Sequence, residues 1–271
     1  MDYWRRTMQP ETQHPQTQTQ IPNQRTAGLA AIAIPPAGRA VLVGKTGSGK
    51  SVLAAKLIAH WRATNPRPRI LVIDSKPRFR AEMELIGLSA GRRYRKWQRG
   101  EMLPGSVVLP SGVHVREGLR QTWRLGFDTA LAQIPNLAYI DWQQAAMGWF
   151  YEDSDDAYQQ LLYIDELADH FSSSGAYGRG NVLVQAVRSG RERGVAVMAA
   201  TQRPTGVPQS FFSEASRVYL FRLRKKADLD HLQESILPET IRPPAGKHSF
   251  LVYDDDEETS AVYRLRLEGG D

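Results

Sequence analysis

The sequence predicts an α/β domain: a mostly parallel central sheet flanked by helices and finished by a C-terminal β-hairpin. Three observations carry this. Apolar runs of strand length recur along the chain with helical periodicity between them, the pattern of strands covered on both faces. A glycine-rich turn, "GKTGSGKS", separates the first such run from the first helical segment. The last apolar stretch, "HSFLVYDDDEETSAVYRLRL", is split by an acidic run that reads as a solvated hairpin turn.

Composition sets the bounds. The chain has 271 residues, 41% hydrophobic and 24% charged, enough for one large domain with appendages. It contains no cysteine, which excludes disulfides, thiolate metal sites and cysteine nucleophiles. No apolar run approaches the roughly 18–20 residues that span a bilayer. The best candidate, "GLAAIAIPPAG", is short and broken by Pro35 and Pro36. "MDYWRRTMQPETQ" lacks the apolar core of a signal peptide, so the expected compartment is the cytoplasm. A net charge of +6 leans mildly toward a polyanionic partner.

In chain order, residues 1–27 form the first unit. Their Gln, Thr and Pro content gives too little apolar surface to offset the entropy of ordering, so a disordered arm is expected, either a solvated tail or a partner contact. Residues 28–271 form the domain. "RAVLVG" reads as its first buried strand and "SVLAAKLIAHWRA" as a helix. "RILVIDSKP" is a strand ending in Asp74, "QLLYIDE" a strand ending in acids, "GVAVMAATQRP" and "SRVYLFRL" two more. Residues 88–155 are an elaboration of this core.

The turn Gly44–Ser51 fits G-x-x-x-x-G-K-[ST] between a strand and a helix. Glycines let the backbone wrap closely, so that N–H groups and the helix's positive end face phosphate oxygens. The nucleotide-binding set is Gly44, Thr46, Gly47, Ser48, Gly49, Lys50, Ser51 and, next on the helix, Val52. Lys50 would reach the β- and γ-phosphates and Ser51 would ligate Mg²⁺. The chemistry indicated is binding of a nucleoside triphosphate.

A second carboxylate separates the classes of such proteins. Asp74, Asp141 in "LAYIDWQ" and Asp165 in "LLYIDEL" all read as strand-end acids. Only Asp165 is followed by another acid. Asp165 can hold Mg²⁺, and Glu166 can polarise a water that attacks the γ-phosphate. Asp141 reads better as a surface or cap residue, and Asp74 as a neighbour of the nucleotide. No guanine-reading "NKxD" follows, which removes the GTPase class.

In "VAVMAATQRP" an apolar strand ends in Gln202, an amide placed to sense the γ-phosphate or the attacking water if this strand lies beside that of Asp165. Upstream, "VRSGRERG" carries Arg188, Arg191 and Arg193. The stretch is either a solvated basic turn or the source of an arginine acting on a neighbour's nucleotide, with Arg191 preferred. "GRRYRKWQRG" interleaves five cations with Tyr94 and Trp97. It is either a charged surface helix with inward aromatics or a nucleic-acid contact.

These motifs, above all "GKTGSGKS", "LLYIDE" and "GRERGVAVMAATQRP", resemble the FtsK–HerA group of DNA-pumping ATPases over roughly residues 38–267. "VIDSKP" is similar to the group's second-strand element. Within the group the likeness is to the compact genome-packaging ATPases of membrane-containing, double-jelly-roll viruses. The resemblance implies a RecA-like P-loop core, ATP and Mg²⁺ as cofactors, and a homo-oligomeric ring, a hexamer, threading double-stranded DNA. It implies Gly47, Gly49, Lys50 and Ser51 at the nucleotide, Asp165 at Mg²⁺, Glu166 as base, Gln202 as sensor and Arg191 as finger in trans. The location implied is the host cytoplasm or the packaging vertex of the virion, with the N-terminal arm a candidate contact for capsid or membrane-vertex proteins. A plasmid or cellular translocase is the alternative, weakened by the missing membrane segment and missing C-terminal DNA-reading domain. A P-loop small-molecule kinase is more distant, because Glu166 and the T-Q-R-P strand suit transfer to water. A virion protein using nucleotide only structurally is weaker still.

Overall fold

The computed structural model describes residues 8–10, 28–74, 96–97, 100–103, 106–108, 115–124, 128–133, 140–154, 157–171 and 182–265. Its strands, in chain order, are β1 (Met8–Pro10), β2 (Arg39–Val43), β3 (Pro68–Asp74), β4 (Lys96–Trp97), β5 (Gly100–Leu103) and β6 (Ser106–Val108). They continue as β7 (Thr129–Gln133), β8 (Gln159–Ile164), β9 (Val195–Thr201), β10 (Arg217–Phe221), β11 (Ser249–Asp254) and β12 (Thr259–Leu265). The helices are α1 (Lys50–Thr64), α2 (Val115–Arg124), α3 (Ile140–Glu152), α4 (Val182–Ser189), α5 (Gln209–Phe212) and α6 (Lys226–Ser235).

Among the described residues these strands form one twelve-stranded sheet in the order β1-β12-β11-β10-β2-β9-β8-β3-β7-β6-β5-β4. The centre, from β10 to β6, is parallel throughout. Both flanks are antiparallel, the C-terminal hairpin β11–β12 on one side and β4–β5–β6 on the other. The expected α/β architecture, mostly parallel with a C-terminal hairpin, is the one observed.

The period-two pleat explains why the strands read as continuously apolar. Val41, Val43, Leu71, Ile73, Leu162, Ile164, Val197 and Ala199 pack on one face with Phe150 of α3, Ala186 of α4, Phe212 of α5 and Leu232 of α6. Ala40, Leu42, Ile70, Val72, Leu161, Tyr163, Ala196 and Met198 pack on the other with Leu53, Leu57, Ile58 and Trp61 of α1. Each fully buried large side chain contributes about 1.5–3 kcal/mol relative to an exposed one. The site therefore rests on strands clamped from both sides.

Several local readings change. Asp141 does not end a strand: it lies in the first turn of α3, and the residues just before Ile140 lie outside the described residues. Ala146, Met147 and Phe150, at helical spacing, bury against the sheet, and that contact fixes the segment as helix. "GRRYRKWQRG" is not a helix where it is described, since Lys96–Trp97 pairs antiparallel with β5; the rest of that stretch up to Gly100 lies outside the described residues. β7, "TALAQ", was not anticipated. It pairs with β3 and β6 and inserts Ala130 and Ala132 into the core. In the N-terminal arm, Met8–Pro10 pairs with β12 as an edge strand, and residues 1–7 and 11–27 lie outside the described residues.

Candidate nucleotide site

β2 lies between β9 and β10, and the loop leaving it is tied to both. The Gly44 N–H donates to the Thr201 carbonyl (3.2 Å) and the Lys45 N–H to the Arg222 carbonyl (3.0 Å). Gly47 and Gly49 take φ of 73° and 103°, left-handed values that favour glycine, and Gly49 leads directly into α1. Lys50, 8% exposed, folds across this loop and donates to the carbonyls of Gly44 (2.5 Å) and Lys45 (3.1 Å). The Ser48 hydroxyl is buried inside the loop without a hydrogen-bond partner among the described residues, a polar atom in want of an acceptor or donor. Ser51 and Val52 are half-buried in the first turn of α1.

β8 lies two strands away and ends level with the loop. The Asp165 N–H donates to the Ile73 carbonyl (2.8 Å), which fixes the carboxylate's backbone beside β3. Tyr163, fully buried one pleat earlier on the same strand face, donates from its hydroxyl to Asp165 Oδ1 (3.2 Å). Burial first, and then the Asp165 carboxylate, push the tyrosine well above its usual range, so it remains a donor. Asp74, wholly buried, ends the adjacent strand β3.

Glu166 turns the chain. Its φ of 52° and ψ of 61° are left-handed, a costly conformation for a residue with a side chain. The turn starts a short 3₁₀ segment, Leu167–His170, where burial lowers the His170 imidazole to about 4 and keeps it neutral. It also aims the buried Glu166 carboxylate at β9, where Oε1 accepts the Gln202 N–H at 3.0 Å. The Thr46 hydroxyl of the loop donates in turn to Gln202 Oε1. Glu166, Gln202 and Thr46 are thus one connected chain, reaching from the β8 end to the glycine-rich loop.

Beside this chain opens a cleft of about 760 Å³ lined by Lys45, Thr46, Gln202, Arg203, Arg224 and Lys225, with Thr205 and Asp228 at its side. Arg224 and Lys225 were not singled out in the sequence; their signal was the basic run "RLRKK" directly after an apolar strand. Tyr163 was also missed, although residues two apart on a strand share a face.

Arg191 is not gathered here. It opens the 3₁₀ turn Arg191–Arg193 before β9 and is exposed at the opposite edge of the sheet. β9 has seven residues, so roughly 23 Å separates that edge from Gln202. Of its neighbours, Arg193 lies over the Tyr151 ring (4.7 Å from the centroid), and Arg188 is exposed in the last turn of α4.

No family model and no curated protein matches the sequence. The fold does have counterparts among solved structures. The genome packaging NTPase B204 of Sulfolobus turreted icosahedral virus 2, solved with sulfate, superposes with TM-score 0.59 at 16% identity, covering 87% of this chain and 100% of that one. Its complex with AMPPCP gives 0.56 at 16% identity, covering 85% and 98%. The chain has the fold of the FtsK–HerA-type ATPases. The cytoplasmic domain of the type VII secretion ATPase EccC from Thermomonospora curvata shares it, with TM-score 0.54 at 16% identity over 87% of this chain and 26% of that one. Among the described residues no helix is long and apolar enough to cross a membrane.

Proposed function

We propose that this chain is an Mg²⁺-dependent ATPase of the FtsK–HerA type that assembles as a homo-oligomeric ring and drives double-stranded DNA into a viral capsid. The observation that carries the reading is the Glu166–Gln202–Thr46 connection: the buried carboxylate accepts the Gln202 backbone N–H, and the Gln202 side-chain oxygen accepts from Thr46 of the phosphate loop. The fold shared with the B204 packaging NTPase over nearly the full length of both chains supports the choice of task.

The loop's N–H groups and Lys50 hold the triphosphate. Glu166 takes a proton from water as the water oxygen bonds to the γ-phosphorus and the β–γ bridging bond breaks, giving ADP and phosphate. The Gln202 amide, bonded to Thr46, senses whether the γ-phosphate is present. Among the described residues no cluster of three or more His, Cys, Asp or Glu side chains gathers. The donors present, the Ser51 hydroxyl and the Asp165 carboxylate, fit Mg²⁺, which is commonly held by one or two protein oxygens with phosphate and water. The ion, when bound, offsets charge on the β- and γ-oxygens.

The Tyr163 hydroxyl then orients a metal-holding carboxylate. Tyr163→Phe keeps the buried ring and removes the donor, and is expected to weaken Mg²⁺ affinity about 10–100-fold. A Mg²⁺ titration of nucleotide binding checks this. An unchanged Mg²⁺ midpoint removes Tyr163 from the site.

The function itself is tested on the purified full chain by measuring phosphate release with and without linear double-stranded DNA, together with the mass of the assembly. Several-fold stimulation by DNA, lost steeply as salt rises, is expected from a particle of several 30.4 kDa subunits. A monomer indifferent to DNA overturns the proposal.

A further inference from the structure

The two ends of the three central strands are flanked by different charged groups. β2, β9 and β10 are parallel neighbours, so their first residues share one edge of the sheet and their last residues the other. The last-residue edge bears the cleft with Lys45, Arg203, Arg224 and Lys225. Asp228, the acid among its lining residues, is buried and accepts from the Thr205 hydroxyl at 3.2 Å, which leaves the cleft cationic. The first-residue edge bears a second hollow of about 210 Å³, lined by Arg39 and Arg191 together with Glu214, Asp255 and Asp256. The hairpin turn extends that edge with Glu257 and Glu258, and all four turn acids are exposed.

This acidic edge is braced. Arg39 lies between its parts, with Nη1 3.6 Å from Glu214 and Nη2 donating to the Arg188 carbonyl at 3.0 Å. The Asp255 N–H donates to the Ser216 carbonyl (3.0 Å), and Asp254 pairs with Arg217 beneath the turn. Arg191 and the acidic turn are therefore presented together.

We propose that the acidic turn 255–258 of one subunit docks on the cationic cleft of the next, at Arg203, Arg224 and Lys225, and so delivers Arg191 to the neighbour's nucleotide. The inference rests on the ring reading above and names the contact that would build it. Two unlike patches at opposite ends of the same strands make a heterologous, head-to-tail contact, the kind that closes into a ring. A single subunit cannot join its own two ends across the length of β9. Opposite charge at such a contact sets partner orientation and register. Double-stranded DNA could use the cationic cleft but would be repelled by the acidic turn, whereas a second copy engages both.

Charge reversal on the full chain tests this, with sedimentation velocity and DNA-stimulated phosphate release as readouts. Asp256→Lys with Glu257→Lys is expected to dissociate the assembly and lower stimulated turnover at least about tenfold, with the melting midpoint little changed at these exposed positions. Arg224→Glu with Lys225→Glu is expected to do the same. Mixing the two variants restores turn-to-cleft attraction at every contact, so assembly and turnover are expected to return. Wild type that assembles while the Lys variant assembles equally well overturns the docking contact and leaves the ring standing. Cleft variants that keep the ring but lose DNA binding also overturn it, assigning the cleft to DNA. A monomeric wild type overturns the ring reading and this contact together.

Discussion

Glu166→Gln is expected to lower ATP turnover by about 10²–10⁴-fold while leaving ATP bound as tightly as before. The geometry makes this a clean substitution. The carboxylate is 6% exposed and its Oε1 accepts the Gln202 N–H, a bond that a glutamine carbonyl oxygen keeps. The left-handed backbone at this position burdens Gln and Glu alike, so the fold is not asked to rearrange. What the amide cannot do is take a proton from water. Glu166→Ala differs in that it strands the Gln202 N–H, costing about 1–3 kcal/mol of stability in addition to the base. The check is nucleotide affinity by fluorescence titration beside phosphate release in single turnover. Normal turnover in the glutamine variant would move the base elsewhere, and Asp74, wholly buried at the end of β3, is then the residue to substitute next.

Legibility in the sequence followed the physical origin of each feature. β2, β8, β9 and β10 were readable because β-branched and large apolar residues fill both faces of a doubly covered sheet. The glycine-rich loop was readable because its conformation needs those residue types. β7 was not: "TALAQ" has small side chains that fit only because β3 and β6 already flank it. Asp141 imitated a strand-end acid, and the contacts made by Phe150 and Met147 decided for a helix from Ile140. Met8–Pro10 has no strand signal of its own; it borrows the ladder of β12. The Glu166–Gln202–Thr46 chain joins three segments far apart in sequence, and only the β8–β9–β2 order brings them together. That order also sets Arg191 far from its own loop, a separation that the motif spacing could not reveal.

That separation sharpens the second large effect. Arg191→Ala is expected to reduce turnover by about 10³–10⁵-fold if its guanidinium stabilises transition-state charge in a neighbour's site. The residue is exposed and lies across the sheet from Gln202, so loss of folding is a poor account of any such defect. Lys50→Ala is expected to be equally silent, since it removes the buried ammonium that spans the loop. The two defects sit on different sides of one contact. In a mixed ring, an Arg191→Ala subunit keeps an intact loop and can receive Arg191 from a Lys50→Ala neighbour. Random mixing in equal amounts pairs them correctly at about one site in four, since the contact is head to tail. Turnover of the mixture should therefore rise well above the sum of the two variants alone. Native mass measurements on the same samples establish that mixed rings are present. Mixed rings without recovered turnover would exclude action in trans and leave Arg191 as an exposed residue of that edge.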